Sequence, residues 1–368
     1  MSSDPALSVF WHDDFLAHEP PAGEFERAWT GLLADREPHP DRPERVRNVR
    51  HAVRETLSEY VGIDWRTARK ATVAELERVH EGAYVEEFRE FCASGGGRLT
   101  PTTGANEATW PAARRAAGGA IEAAETALEA ETLPYALVRP SGHHAQAARA
   151  DGFCFFNNVA VAAEHALATG RADRVAVVDW DVHHGNGTQE LFYDRDDVLV
   201  VSIHNDHGPW DPETHPQSGR PDERGVGPGE GYTVNAPVPP GTGDEGYAYV
   251  FDRLVAPAVD AFDPDLLLVS AGGDPGPVDP LGRNLVTKDG FERLGRRVVE
   301  LADAVALVQE GGYQPSHLAY AQLGVLEGAL GVATGIEDSF AWLDEEFESL
   351  RSRLDETIAA HDEHWPTE

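Results

Sequence analysis

Short apolar runs rich in Val, Leu and Ile recur along the chain: residues 135–138 (YALV), 175–179 (VAVVD), 198–204 (VLVVSIH), 266–273 (LLLVSAGG) and 305–312 (VALVQEGG). Ala- and Glu-rich stretches of helical character separate them. Strands that are apolar throughout and alternate with helices predict an α/β fold, a mostly parallel multi-stranded sheet with helices on both faces. Ligands of such sheets gather beyond the carboxyl ends of the strands. There each run passes into polar or Gly-rich residues: RPSGHHA (139–145), DWDVHHGNG (179–187), HNDHG (204–208), GGDPGPVDPLG (272–282) and EGGY (310–313). Five strand ends are thus expected on one rim.

No linker divides the sequence, and no internal repeat is present. The Pro/Gly-rich stretch 208–243 lies between strand-like runs and reads as an elaborated loop. A single domain over residues 1–368 is expected, with residues 337–368 an acidic helical segment. The helical spacing of Phe347, Leu350, Leu354 and Ile358 fits a helix packed on its own domain, a partner surface being the alternative.

Within the second rim segment, strand periodicity puts Asp179, Asp181 and His183 on one face at the strand's end. Asp181, His183 and Asp274 could give one nitrogen and two oxygens to a metal, the three-ligand, open arrangement of a catalytic zinc. Carboxylate-rich ligation also admits Fe²⁺ or another divalent ion. Asp179 is placed to orient an imidazole. His143 and His144 could act as general base and acid, since imidazole titrates near neutrality. Tyr313, after EGG, offers a phenol to a developing oxyanion.

Composition narrows the function further. The chain has 64 acidic and 30 basic residues, a net charge of −34, and only Lys70 and Lys288 among the basic residues are lysine. The acid is spread along the whole length, which fits a surface adapted to a salt-loaded, halophilic cytoplasm; a surface attracting basic tails or polyamines is the rival reading. The absence of a basic stripe argues against nucleic acid. Two cysteines, Cys92 and Cys154, are too few for a disulfide framework and suit a reducing interior. The first residues lack the pattern of a signal peptide and no run reaches membrane-spanning length, so a cytoplasmic location and no membrane partner are expected.

RPSGHHA, GFCFFNN, VVDWDVHHGNGTQ, SAGGDP with DPLG, and QEGGY, in this order, resemble the zinc-dependent histone deacetylase family, which includes the acetylpolyamine amidohydrolases. WDVHHGNGTQ resembles the class II branch, and the likeness runs from about residue 39 to 331. It implies the arginase/deacetylase fold and hydrolysis of N-acetylated amines, protein lysines or small acetylated amines, to acetate. It further implies Asp181, His183 and Asp274 as zinc ligands, His144 as general base and acid with Asn186 as its partner, and His143 paired with Asp179. Tyr313 is then the oxyanion donor, Phe153 and Trp210 the walls of an acyl-lysine tunnel, and Leu281 a residue at its mouth. Gly142 and Gly311 would let the backbone approach substrate. Asp179, Asp181, His183 and Ser202 correspond to a structural K⁺ site.

The chain departs from the pattern at Gly273, where class II members usually carry an aromatic, and at Pro275, which biases Asp274 towards extended backbone. The rim loop 101–108 lacks the usual aspartate and offers only Glu107. Acyl-lysine deacetylation is the favoured reading, acetylpolyamine hydrolysis the alternative. A two-manganese ureohydrolase would need a carboxylate where Gly272 stands, and a catalytically weak acetyl-lysine binding module would not need the histidine pair. Cys154 reads as a small packing residue. The sequence leaves a homo-oligomer open.

Overall fold

The structure is a computed structural model and describes residues 6–129, 132–206 and 217–365. Its centre is a sheet of eight strands: β1 (Leu7–Trp11), β2 (Ile63–Thr67), β3 (Leu133–Ala136), β4 (Val175–Asp179), β5 (Val198–Asn205), β6 (Thr233–Val238), β7 (Leu266–Ala271) and β8 (Val305–Gln309). The spatial order is β2-β1-β3-β8-β7-β4-β5-β6, and every pairing is parallel. All residues of β1, β4, β5, β7 and β8 are buried, as continuous apolar runs in a sheet covered on both faces should be.

The helices that matter for the site are α1 (Glu44–Glu55), α2 (Thr109–Leu128), α3 (Asn158–Ala168), α4 (Asn186–Phe192), α5 (Lys288–Val298), α6 (Pro315–Leu330) and α7 (Phe347–Ala359). Ala-rich α2 packs against α3 and against β1, β3 and β8, its small side chains allowing close approach. On another side α6 packs against α1 and α5, and the buried Lys288 ammonium of α5 pairs with Glu327 of α6. The buried apolar side chains form one contiguous cluster around the sheet.

Three strands differ from the sequence expectation. The N-terminal run LSVFW forms the fully buried β1, and IDWRT forms the half-buried edge strand β2. Within the stretch read as a loop, TVNAPV forms β6. Pro237 is tolerated there because β6 is the opposite edge of the sheet. The run at 135–138 begins two residues earlier, at Leu133, and the Gly-containing ends 272–273 and 310–312 lie beyond their strands. The apolar stripe at the C-terminus is on α7: Leu354 and Ile358 are buried, and the Phe347 ring meets Tyr249 edge-on at 5.6 Å.

Candidate active site

The ends of β4, β7 and β8 lie side by side, with Asp179 opposite Ser270 and Ala271 opposite Gln309. The segments leaving these strands therefore share one buried pocket. Asp181 and His183 come from the segment after β4, Asp274 from the segment after β7, and their ligand atoms lie within 4.8 Å of one another. His183 Nδ1 is 3.1 Å from Asp181 Oδ1 and 3.2 Å from Asp274 Oδ2. The other oxygens are held by backbone: Asp181 Oδ2 accepts from Gly311 N at 2.7 Å, and Asp274 Oδ1 from Val182 N at 2.9 Å.

This donor set fits a divalent ion. Asp274 Oδ2 is buried and lacks a well-formed hydrogen bond, with His183 Nδ1 beside it at 3.2 Å. Burial pushes the Asp274 carboxyl up and the charge of Asp181 adds to this. The energetic conflict of two buried carboxylates about one imidazole is what a cation removes. Where a two-metal centre would require another carboxylate, Gly272 stands, and a Cβ there would meet Asp181 Oδ2 at 2.5 Å.

Two imidazoles flank the triad. His143 Nδ1 lies 2.9 Å from Asp179 Oδ2, and His144 Nδ1 lies 2.6 Å from Asn186 Oδ1. Their rings are 4.0 Å apart. Burial opposes charging His143, but the carboxylates of Asp181 and Asp179 outweigh it and push its pKa up to about 10. For His144 burial and the neighbouring His143 and His183 act together and hold it well below the ordinary range. One imidazole thus favours the charged form and its neighbour the neutral form.

Tyr313 closes another side. Its ring packs edge-on against Phe153 with centroids 5.3 Å apart and lies 6.3 Å from that of His183. Burial drives the phenol well above its usual pKa despite Arg45, whose guanidinium lies 4.5 Å from the ring centroid. The phenol of Tyr313 therefore keeps its proton. Phe153 adopts a left-handed φ of 69° and also meets His39 edge-on at 4.6 Å. Gly152 before it, at φ 47°, has no room for a side chain, since a Cβ would fall 2.1 Å from the His144 ring.

At Gly142 and Gly311 the packing of the site excludes a side chain. A Cβ at Gly142 would strike Asn158 N at 2.4 Å, and one at Gly311 would strike Asp274 Oδ2 at 2.1 Å. Ser202 is buried opposite Asp179 in the ladder, with its Oγ 2.9 Å from His204 Nδ1. Leu281 is half-buried and Glu107 is exposed. Trp210 lies outside the described residues. Leu318 fills the space beside Gly273, 2.5 Å from where a Cβ would be, which leaves no room there for an aromatic. Burial raises the Cys154 thiol well above its ordinary pKa.

Sequence reasoning missed a buried polar layer beneath these groups. Asp41 accepts from Arg139 Nε at 2.9 Å and pairs with Arg45, while Arg45 donates to the carbonyls of Glu310 and Gly312. Glu310 accepts from Gly142 N at 2.7 Å, and burial pushes its carboxyl to about 8. The i,i+4 spacing of Asp41 and Arg45 was a local signal; the contact of Arg45 with residues near 310 was not visible.

A parallel sheet with this donor set and histidine pair beyond its strand ends has the architecture of the arginase/deacetylase fold. Within that class the chain belongs to the histone deacetylase family: the histone deacetylase domain matches residues 39–329. Histone deacetylase 8 of Arabidopsis thaliana is 39% identical over 370 residues, covering 98% of this chain and 97% of that one. A probable deacetylase of Archaeoglobus fulgidus is 34% identical over 374 residues, covering 97% and 98% respectively. Among solved structures, the HDA15 HD domain superimposes with a TM-score of 0.84 at 35% identity, covering 98% of this chain and 96% of that one.

Proposed function

We propose that the protein hydrolyses N-acetylated amines, with acetyl-lysine side chains preferred, using one divalent ion, zinc in the first instance, held by Asp181, His183 and Asp274. The observation that carries this reading is the meeting in one buried pocket of that donor set, the His143–Asp179 and His144–Asn186 pairs, and the protonated phenol of Tyr313.

When bound, the ion supplies Lewis acidity towards the amide carbonyl and towards water. His144 is neutral and its Nδ1 faces Asn186, so Nε2 is the atom that takes a proton from the attacking water. The same nitrogen returns that proton to the departing amine as the C–N bond breaks, giving acetate and free amine. His143, charged beside Asp179, stabilises negative charge as it develops. The Tyr313 hydroxyl donates to the carbonyl oxygen as it becomes an oxyanion.

The family likeness supports a K⁺ bound around Asp179, Asp181, His183 and Ser202 as a structural ion. Among the described residues no helix is long and apolar enough to cross a membrane. The composition supports a cytoplasmic, halophilic setting without a nucleic-acid partner. Phe153 and Trp210 are proposed as tunnel walls.

A second substrate reading comes from a human relative, 37% identical over 349 residues and named a polyamine deacetylase. The residue that decides between the two is Leu281 at the proposed mouth, because a leucine offers a distant ammonium no fixed counter-charge. Acetate release from an acetyl-lysine peptide, acetylputrescine and acetylspermidine in high potassium chloride tests this. The peptide should give the highest kcat/KM, and Leu281→Glu should shift the ratio towards acetylspermidine by about 1–2 kcal/mol. Faster turnover of acetylputrescine than of any acetyl-lysine peptide by the unaltered protein would overturn the preference.

A further inference from the structure

Two loops of the site are fastened to a single carboxylate. Asp279 is 9% exposed and lies five residues after Asp274, in the turn that follows β7. Its Oδ2 accepts from the backbone N–H of Tyr313 at 2.6 Å and of Gln314 at 3.2 Å. Its Oδ1 accepts from Leu281 N at 2.9 Å and Gly282 N at 3.3 Å. A buried carboxylate is tolerable only when its lone pairs are filled, and charge-assisted bonds to backbone N–H groups hold those groups firmly.

The geometry couples parts of the site that have separate origins in the chain. Asp274 and Leu281 belong to the segment after β7, and Tyr313 to the segment after β8. The first segment folds back tightly on itself, since a Cβ at Gly282 would come within 2.2 Å of the Asp274 carbonyl oxygen. Below the ring of Tyr313, Arg45 fixes the carbonyls on either side of Gly311, with Nε 2.5 Å from Gly312 O and Nη2 2.8 Å from Glu310 O. Arg45 thus supports the ring from one side, while Asp279 holds the Tyr313 N–H.

We propose that Asp279 is a positioning residue that sets the Tyr313 hydroxyl relative to Asp274. This rests on the reading of Tyr313 as oxyanion donor. Deleting such a donor costs two to three orders of magnitude, roughly, and a displacement of about 1 Å can cost about 100-fold. Asp279 should therefore act on kcat, and its effect should vanish once the hydroxyl is gone.

The test is a double-mutant cycle on deacetylation of an acetyl-lysine peptide, comparing the parent, Tyr313→Phe, Asp279→Ala and the double variant. Bound metal and melting temperature are followed in parallel. Asp279→Ala should lower kcat by about 100-fold with little change in KM and metal content. Added to Tyr313→Phe it should cost less than about threefold more. Asp279→Asn is run alongside in case the alanine variant does not fold; it keeps one acceptor oxygen and turns an amide NH₂ on the other pair of N–H groups. Equal losses of kcat in both backgrounds, or an unchanged kcat in a folded Asp279 variant, would overturn the proposal. If Tyr313→Phe itself turns over normally, it is the oxyanion reading that fails.

Discussion

Gly311 lacks a side chain because two carboxylates occupy the space. A Cβ there would lie 2.1 Å from Asp274 Oδ2 and 2.5 Å from Asp181 Oδ2, while its N–H is bound to that same Asp181 oxygen. Both carboxylates sit on short side chains fixed by backbone donors, so neither can withdraw cheaply. Gly311→Ala should therefore displace a ligand and lower the metal-to-chain ratio from near one, with turnover falling in step. Elemental analysis checks this, and a full complement of metal with unchanged activity would refute it. At this scale the sequence was legible where chemistry concentrates, in the spacing of Asp179, Asp181 and His183, but β4 ends at Asp179 and the other two follow in the bend beyond it, so strand period two does not place them. Asp279, Glu310 and Asp41 were not legible as parts of the site. An isolated acidic residue in a sequence is ordinarily solvated, and these are buried by partners that include groups up to 168 residues away, as in the bond from Gly142 N to Glu310.

At the scale of elements, five strands were readable because each is marked by several consecutive apolar residues, while β1 is interrupted by Ser8 and the other missed strands lack such a run. β2 is an edge strand whose residues IDWRT are half-buried, and β6 carries Asn235 and Pro237, both unusual in a central strand. The Asn235 amide is explained by its bonds to Gln189 Oε1 at 2.7 Å and to loop carbonyls. Helix α7 covers this edge: Thr357 Oγ1 donates to Pro237 O at 3.1 Å, and Leu354 is fully buried. The helix joins the core at the end of the sheet away from β3 and β8, and supplies none of the proposed catalytic groups. Leu354→Ala should thus destabilise the fold by about 2–5 kcal/mol, the usual cost of such a cavity, while kcat and metal content at permissive temperature stay unchanged. Denaturant midpoints measured beside turnover test the separation; a large loss of kcat in a folded variant would place α7 in the mechanism.

For the whole molecule the dominant fact is the excess of 34 negative charges. Two electrostatic terms respond to salt in opposite senses. Screening weakens surface pairs such as Arg297–Asp252 and Arg353–Asp206, in which every partner is about a third or more exposed. Exposed pairs of this kind contribute between roughly 0 and 1 kcal/mol each, so little stability is lost with them. Screening also relieves repulsion among the excess acids, a term that grows with the square of net charge and reaches beyond nearest neighbours at low ionic strength. The buried pairs, Arg45–Asp41 and Lys288–Glu327, are shielded from salt by the protein itself. Relief of repulsion should therefore win, and the melting temperature should rise steadily from low to molar potassium chloride. A melting temperature that is flat or falls across that range would mean that local pairing outweighs the net charge, and the assignment of this surface to a salt-loaded cytoplasm would fail with it.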